Sequence, residues 1–122
     1  METIKRFTDL SQSKKLAEIL QLETADMHYS RDFGGSWFVD LEAYSSIKLP
    51  QYAVNNVEDH LLPCWSLAAL LDVLPKIHGL KPILDLEECS IQYSGIDLYV
   101  IAGNLVDACY EMILMLNQLN IL

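Results

Sequence analysis

The chain has 122 residues and a formal charge of −9, from 8 Lys and Arg against 17 Asp and Glu. That length accommodates one domain around a single core, and 52% apolar with 20% charged residues excludes a disordered chain. A balance this acidic argues against a phosphate-binding surface, which needs clustered Lys and Arg, so direct nucleic-acid binding is not expected.

The first element predicted is a helix over residues 11–22, with Ser11 or Ser13 as cap and Leu16, Ala17, Ile19 and Leu20 on one face. Between Met27 and Val39, two aromatic-rich runs flank Gly34-Gly35, the pattern of a hairpin. Residues 41–62 show no sustained period and read as a long connection with one short strand at 46–49. Pro63 then opens a second helix that runs to Pro75, since proline is tolerated in a first turn and the second proline ends the run. Ser66 and Asp72 are its only strongly polar side chains, which predicts a central helix buried against a sheet.

Residues 89–101 predict a second hairpin. A two-residue turn at Ser94-Gly95 pairs Tyr93 with Ile96, Ile91 with Leu98 and Cys89 with Val100, leaving Ser90, Gln92, Asp97 and Tyr99 on the opposite face. A last helix over 105–119 follows, with Asn104 as its cap and Asp107 completing a capping-box-like start. The sum is a single α+β domain over residues 1–122: a small antiparallel sheet built from hairpins, with three helices mainly on one face.

Two stretches, Pro63-Cys64-Trp65-Ser66-Leu67-Ala68-Ala69-Leu70-Leu71 and Asn104-Leu105-Val106-Asp107-Ala108-Cys109, resemble recurring segments of small uncharacterised proteins of gut anaerobes and their phages and mobile elements. The resemblance implies a shared fold and supplies no catalytic residues.

Residues 1–7 contain neither an apolar stretch nor a small-residue cleavage site, so no signal peptide is expected there. The longest apolar runs, 67–71 and 112–116, fall far short of the roughly 20 residues that span a bilayer. Cys64, Cys89 and Cys109 form no CxxC pair and read as free thiols. Together these features predict a cytoplasmic protein without membrane contact.

Chemistry is sparse. Cys64, at the expected start of the second helix with His60 four residues upstream, is the one arrangement that resembles an activated thiol; the simpler reading is a small core residue. His28, His60 and His78 are scattered, with no metal-ligand spacing, so neither metal nor other cofactor is implied. Asp85, Glu87 and Glu88 could suggest a metal-dependent nuclease, yet no Lys or Arg follows Lys81 to stabilise developing charge, and a charged turn explains them.

Two surfaces are therefore singled out. On the last helix, Asp107, Glu111 and Gln118 form a narrow polar stripe, with Leu114 between them in angle and Tyr110 and Met115 flanking it, more apolar surface than one sheet needs, which predicts a protein partner or a homodimer. The second is the 44–60 connection, where Trp37, Tyr44, Tyr52, His60 and Cys64 could line a recognition cleft. The leading expectation is a small interaction or accessory protein without catalysis. A small enzyme or ligand-binding domain at the Cys64/His60 cleft is the alternative. A third reading is an acidic DNA mimic that inhibits a nucleic-acid enzyme, drawn from the net charge of −6 over residues 82–122.

Overall fold

In a computed structural model of the protein, which describes residues 4–32, 34–47 and 60–122, the first helix starts at Asp9. Asp9 Oδ1 accepts the Gln12 N–H at 2.8 Å while Gln12 Oε1 accepts the Asp9 N–H at 3.1 Å, a reciprocal capping box ahead of α1 (Leu10–Ala17). The helix is shorter than the expected 11–22, and neither Ser11 nor Ser13 caps it. Its last turn tightens as the Glu18 and Ile19 N–H groups donate to carbonyls three residues back, so Ile19 and Leu20 pack on the core from outside the helix.

β1 (Met27–Arg31) and β2 (Trp37–Asp40) form the expected first hairpin, in register from Arg31 opposite Trp37 to His28 opposite Asp40. Its turn is closed by the Asp32 N–H donating to the Ser36 carbonyl at 3.0 Å and by Gly35 at a φ of +85°, where a side chain would be strained.

β3 (Leu61–Cys64) pairs with the other side of β1, giving the order β2-β1-β3. This corrects the assignment of Pro63 to a helix start. The Arg31 N–H donates to the His60 carbonyl at 3.0 Å, and antiparallel pairs alternate between bonded and non-bonded, so Pro63, opposite His28, turns its nitrogen away from β1. An outer strand loses no ladder bond to such a proline. The helix begins later, as α2 (Leu67–Val73), with Ser66 Oγ accepting the Ala69 N–H. Of the strand expected at 46–49, residues 48 and 49 lie outside the described residues, and Ser46 belongs to a 3₁₀ turn, Tyr44–Ser46.

A second sheet, β4 (Ile83–Asp85), β5 (Ser90–Tyr93) and β6 (Leu98–Ile101), is antiparallel in chain order. Its β5–β6 register differs by two residues from the expected one: Tyr93 lies opposite Leu98 and Ile91 opposite Val100, with residues 94–97 as the connection. A slip of two keeps every side chain on its face, so Ile91, Tyr93, Leu98 and Val100 are buried together as expected, while Gln92 and Tyr99 face out. Cys89 and Ile96 fall in the connections instead of the ladder.

α3 (Leu105–Gln118) follows the expectation. Asn104 Oδ1 accepts the Asp107 N–H at 2.8 Å, and Asn104 Nδ2 donates to Asp107 Oδ2 at 2.9 Å. At its C-terminus, Asn120 takes a φ of +58°, the Ile121 N–H reaches the Leu116 carbonyl at 2.9 Å and the Asn120 N–H reaches that of Asn117 at 3.1 Å. This Schellman closure turns Leu122 back onto the core.

The fold is α+β, with two small three-stranded sheets in place of the single one expected. α3, and not α2, is the central helix: Val106, Ala108, Cys109, Met112, Ile113 and Leu116 are fully buried against the inner face of β4-β5-β6 and against α2. Ala68 and Asp72 of the short α2 remain exposed. A smaller cluster, Met27, Tyr29, Leu62 and Cys64, is packed by Phe7 and Leu10 from the N-terminal side.

The N-terminal segment joins the two clusters. Buried Thr8 donates its N–H to the Trp65 carbonyl at 3.0 Å, and its Oγ1 accepts the Trp65 N–H at 3.2 Å and lies 2.8 Å from Ser13 Oγ. Lys5 Nζ lies 2.8 Å from Asp107 Oδ1 and 3.1 Å from Asp9 Oδ2, and Gln12 Nε2 donates to the same Asp107 oxygen. Thr8→Val keeps the shape but orphans the Trp65 N–H, so a loss of about 1–3 kcal/mol is expected in urea unfolding. A variant as stable as wild type would refute that role.

Burial alone raises the Asp107 pKa, but hydrogen bonds from Lys5, Gln12 and Asn104, with the Lys5 charge, outweigh it and hold the carboxyl below its ordinary 3.8. The unfolded chain therefore binds the proton more readily, and the stabilisation is complete above the ordinary value and lost as pH falls through the folded one. Asp107→Asn should cost about 1 kcal/mol at pH 6, modest because the pair is partly solvated, with the gap to wild type closing toward pH 3. A gap that does not change with pH would rule out this linkage.

Candidate functional site

The residues proposed for a cleft do not converge. Cys64 is fully buried at the far end of β3, while His60 precedes that strand; four extended residues separate them by about 13 Å, too far for a thiol–imidazole pair. Cys64 instead sits under Thr8, its Sγ 3.6 Å from the Thr8 carbonyl oxygen and 3.8 Å from Thr8 Oγ1. Burial pushes its pKa up to about 11, the hydrogen bonds from Thr8 and Tyr29 drawing it only partly back.

Trp37 packs on the smaller cluster, with the Arg31 guanidinium 5.8 Å from its ring centroid, whereas Tyr44 packs on the main core. Tyr52 lies outside the described residues. His28 is buried with Nδ1 2.6 Å from the Glu42 carbonyl oxygen, a backbone tether. Among the described residues no three His, Cys, Asp or Glu side chains are grouped to hold a metal ion, and no helix is long and apolar enough to cross a membrane.

Tyr110, Leu114 and Met115 are each half-buried, Tyr110 and Met115 against the main core, and the returned Leu122 covers part of the same core.

A larger apolar surface lies on the outer face of β4-β5-β6. The ladder aligns Ile83, Gln92 and Tyr99 in one row and Asp85, Ser90 and Ile101 in the next. Ile83 is 61% exposed, Tyr99 42% and Ile101 55%, with Leu86 of the adjoining turn at 75%. α3 packs on the opposite face, against β5 and β6. Single exposed apolar side chains are ordinary; three on the outer face of one small sheet, Ile83 on one edge strand and Tyr99 and Ile101 on the other with Gln92 between them, are not.

Acids frame the patch. Asp85 Oδ1 accepts the N–H groups of Glu87 and Glu88, both at 3.0 Å, which folds the turn so that Glu88 Oε2 accepts the Ser90 hydroxyl at 2.9 Å. Its hydrogen bond with the Tyr99 phenol is the first cause of the raised Tyr99 pKa, desolvation the second, and the charges of Glu88 and Asp85 add to both. Asp97, one residue before β6, is exposed on the same alternation as Tyr99. Lys81, the last cation in the sequence, is drawn elsewhere: its Nζ donates to the carbonyls of Leu71, Asp72 and Leu74 at the end of α2.

The outward position of Tyr99 was legible from the hairpin alternation. Ile83 and Ile101 were missed, although Ile83-Leu84 and Tyr99-Val100-Ile101 carry a signal: consecutive apolar residues in a strand make both of its faces apolar.

No family model matches this sequence, and no match was found among curated proteins or solved structures.

The thiols give a direct check of the buried sites. Cys64, at about 11, and Cys109, raised by burial to about 12, are ionised in fewer than about one molecule in a thousand at pH 7.5. Cys89 alone is partly exposed. Ellman titration of the native protein should find one fast thiol, abolished by Cys89→Ser, and three after denaturation. Fast labelling of Cys64 in the folded protein would restore the enzyme reading.

Proposed function

We propose that this is a small interaction protein, an accessory of the mobile-element kind, that works by protein–protein contact without catalysis and uses the outer face of β4-β5-β6. The observation that carries the reading is the exposure of Ile83, Tyr99 and Ile101 on the outer face of β4-β5-β6, with exposed Leu86 in the adjoining turn, on a sheet whose other face packs against α3 through β5 and β6. A chain of this size gains nothing in stability from leaving these side chains wet; covering them on association recovers about 25 cal/mol per Å² of apolar surface. The buried, protonated state of Cys64 and its distance from His60 speak for contact over chemistry.

The test is affinity capture from extracts of the cells that make the protein, with wild type and Ile83→Ser/Ile101→Ser as baits. Both positions are exposed, so the variant should fold as wild type, shown by an unchanged circular dichroism spectrum and melting temperature. A partner held in stoichiometric amount by wild type should be lost from the variant, since truncating two large apolar contacts weakens binding by about 10–100-fold or more. Identical retention by both baits would remove this face from consideration.

A further inference from the structure

The charge around the open face narrows the chemistry of its occupant, on the reading that this face is the working surface. Asp85, Glu87, Glu88 and Asp97 stand around Ile83, Leu86, Tyr99 and Ile101, and no Lys or Arg follows Lys81 in the chain, which is itself committed to the end of α2. A second copy docked on this face would set each acidic frame against its twin with no cation between them, and like charges juxtaposed in an interface cost several kcal/mol. The reverse holds for a cationic partner. Carboxylates at the rim steer it in and fix its register, while the apolar rows supply the contact that excludes water.

We infer that the outer face of β4-β5-β6 is the docking surface for a polypeptide that carries an apolar strip edged by Lys or Arg. The apolar strip covers Ile83, Leu86, Tyr99 and Ile101; the flanking cations meet Glu87 and Asp97. These two acids are the appropriate ones to alter. Asp85 holds the turn through two backbone N–H groups and Glu88 bonds to Ser90, so replacing either would disturb the surface itself.

The experiment measures fluorescence anisotropy with three synthetic amphipathic helical peptides of about 18 residues, some five turns. One is Leu/Lys, the second Leu/Glu with the same apolar pattern, and the third Ser/Lys with the same charge and no apolar strip. The Leu/Lys peptide should bind and the other two should not. Binding should weaken at least about tenfold in Ile83→Ser/Ile101→Ser and again in Glu87→Lys/Asp97→Lys, and should fall as salt rises from about 50 to 300 mM. Asp72→Lys/Glu111→Lys, the same charge reversal on exposed acids of the two helices, should leave it unchanged.

Equal binding of the Leu/Lys and Leu/Glu peptides, both lost in Ile83→Ser/Ile101→Ser, overturns the basic partner and leaves the docking face standing. Binding that ignores Ile83 and Ile101, or falls equally with the distant reversal, is general attraction to an acidic protein and overturns both. No binding of the Leu/Lys peptide also overturns the inference. Light scattering that shows a dimer, dissociated by Ile83→Ser/Ile101→Ser, assigns the face to a second copy instead.

Discussion

The junction between the two halves of the molecule depends on one buried threonine. A chain leaving β3 for α2 must pass through Trp65, whose peptide groups lie beyond the sheet ladder and inside the protein, where an unpaired N–H or C=O costs about 1–3 kcal/mol. Thr8 answers both, donating its N–H to the Trp65 carbonyl and accepting the Trp65 N–H on its hydroxyl. Its own carbonyl accepts from the Tyr29 hydroxyl at 2.7 Å, and Ser13 completes the arrangement from α1. With the backbone settled, the Trp65 ring is free to fill the main core, its Nε1–H reaching Thr24 Oγ1 at 2.9 Å. Ser66 is then held by Asp26, which accepts from both its N–H and its hydroxyl, and caps α2. One short segment thus ties β1, β3, α1 and α2 together.

That economy has a consequence at the other end of the chain. α1 is used on the first sheet and α2 is used against α3, so among the described residues only α3 remains to cover β4-β5-β6, and a helix covers one face. A small chain has too much surface for its volume to close a third layer. Among the described residues the outer face of the second sheet is left open, and its composition then decides whether that matters. Gln92 is an ordinary solvent residue; Ile83, Tyr99 and Ile101 are not.

How far the sequence could be read follows from the range of each interaction. The Asn104 cap was legible because the partners are three residues apart, and the face of Ile91, Tyr93, Leu98 and Val100 because alternation is local. The register between β5 and β6 was not, since a two-residue slip leaves the faces identical and only the length of the connection separates the alternatives. Pro63 suits a helix start and an outer strand equally; what decided it was pairing with β1, more than thirty residues away. The same limit applied to the site. Cys64 and His60 look adjacent four residues apart if the chain is helical, and are pulled to opposite ends if it is extended. The row of Ile83, Gln92 and Tyr99 exists only once three strands are set in register, so the single-strand pattern pointed to α3, where Schellman closure and half-burial left less to find.

The acidity of residues 82–122 can now be divided by role. Asp107 is held by Lys5, Gln12 and Asn104 and serves the attachment of the N-terminal segment; Asp85 shapes a turn; Glu88 ties that turn to β5 and to Tyr99. A carboxylate that already accepts two or three hydrogen bonds is a poor mimic of a phosphate, because its lone pairs are committed and its position is set by the fold. Half of the six acids are of this kind, which weakens the case for imitation of a nucleic-acid backbone and strengthens one for a frame. With Asp85 and Glu88 holding the turn, Glu87 and Asp97 are the carboxylates at the edge of the apolar surface, and acids placed there discriminate by sign and position: they admit a cation and oppose an anion.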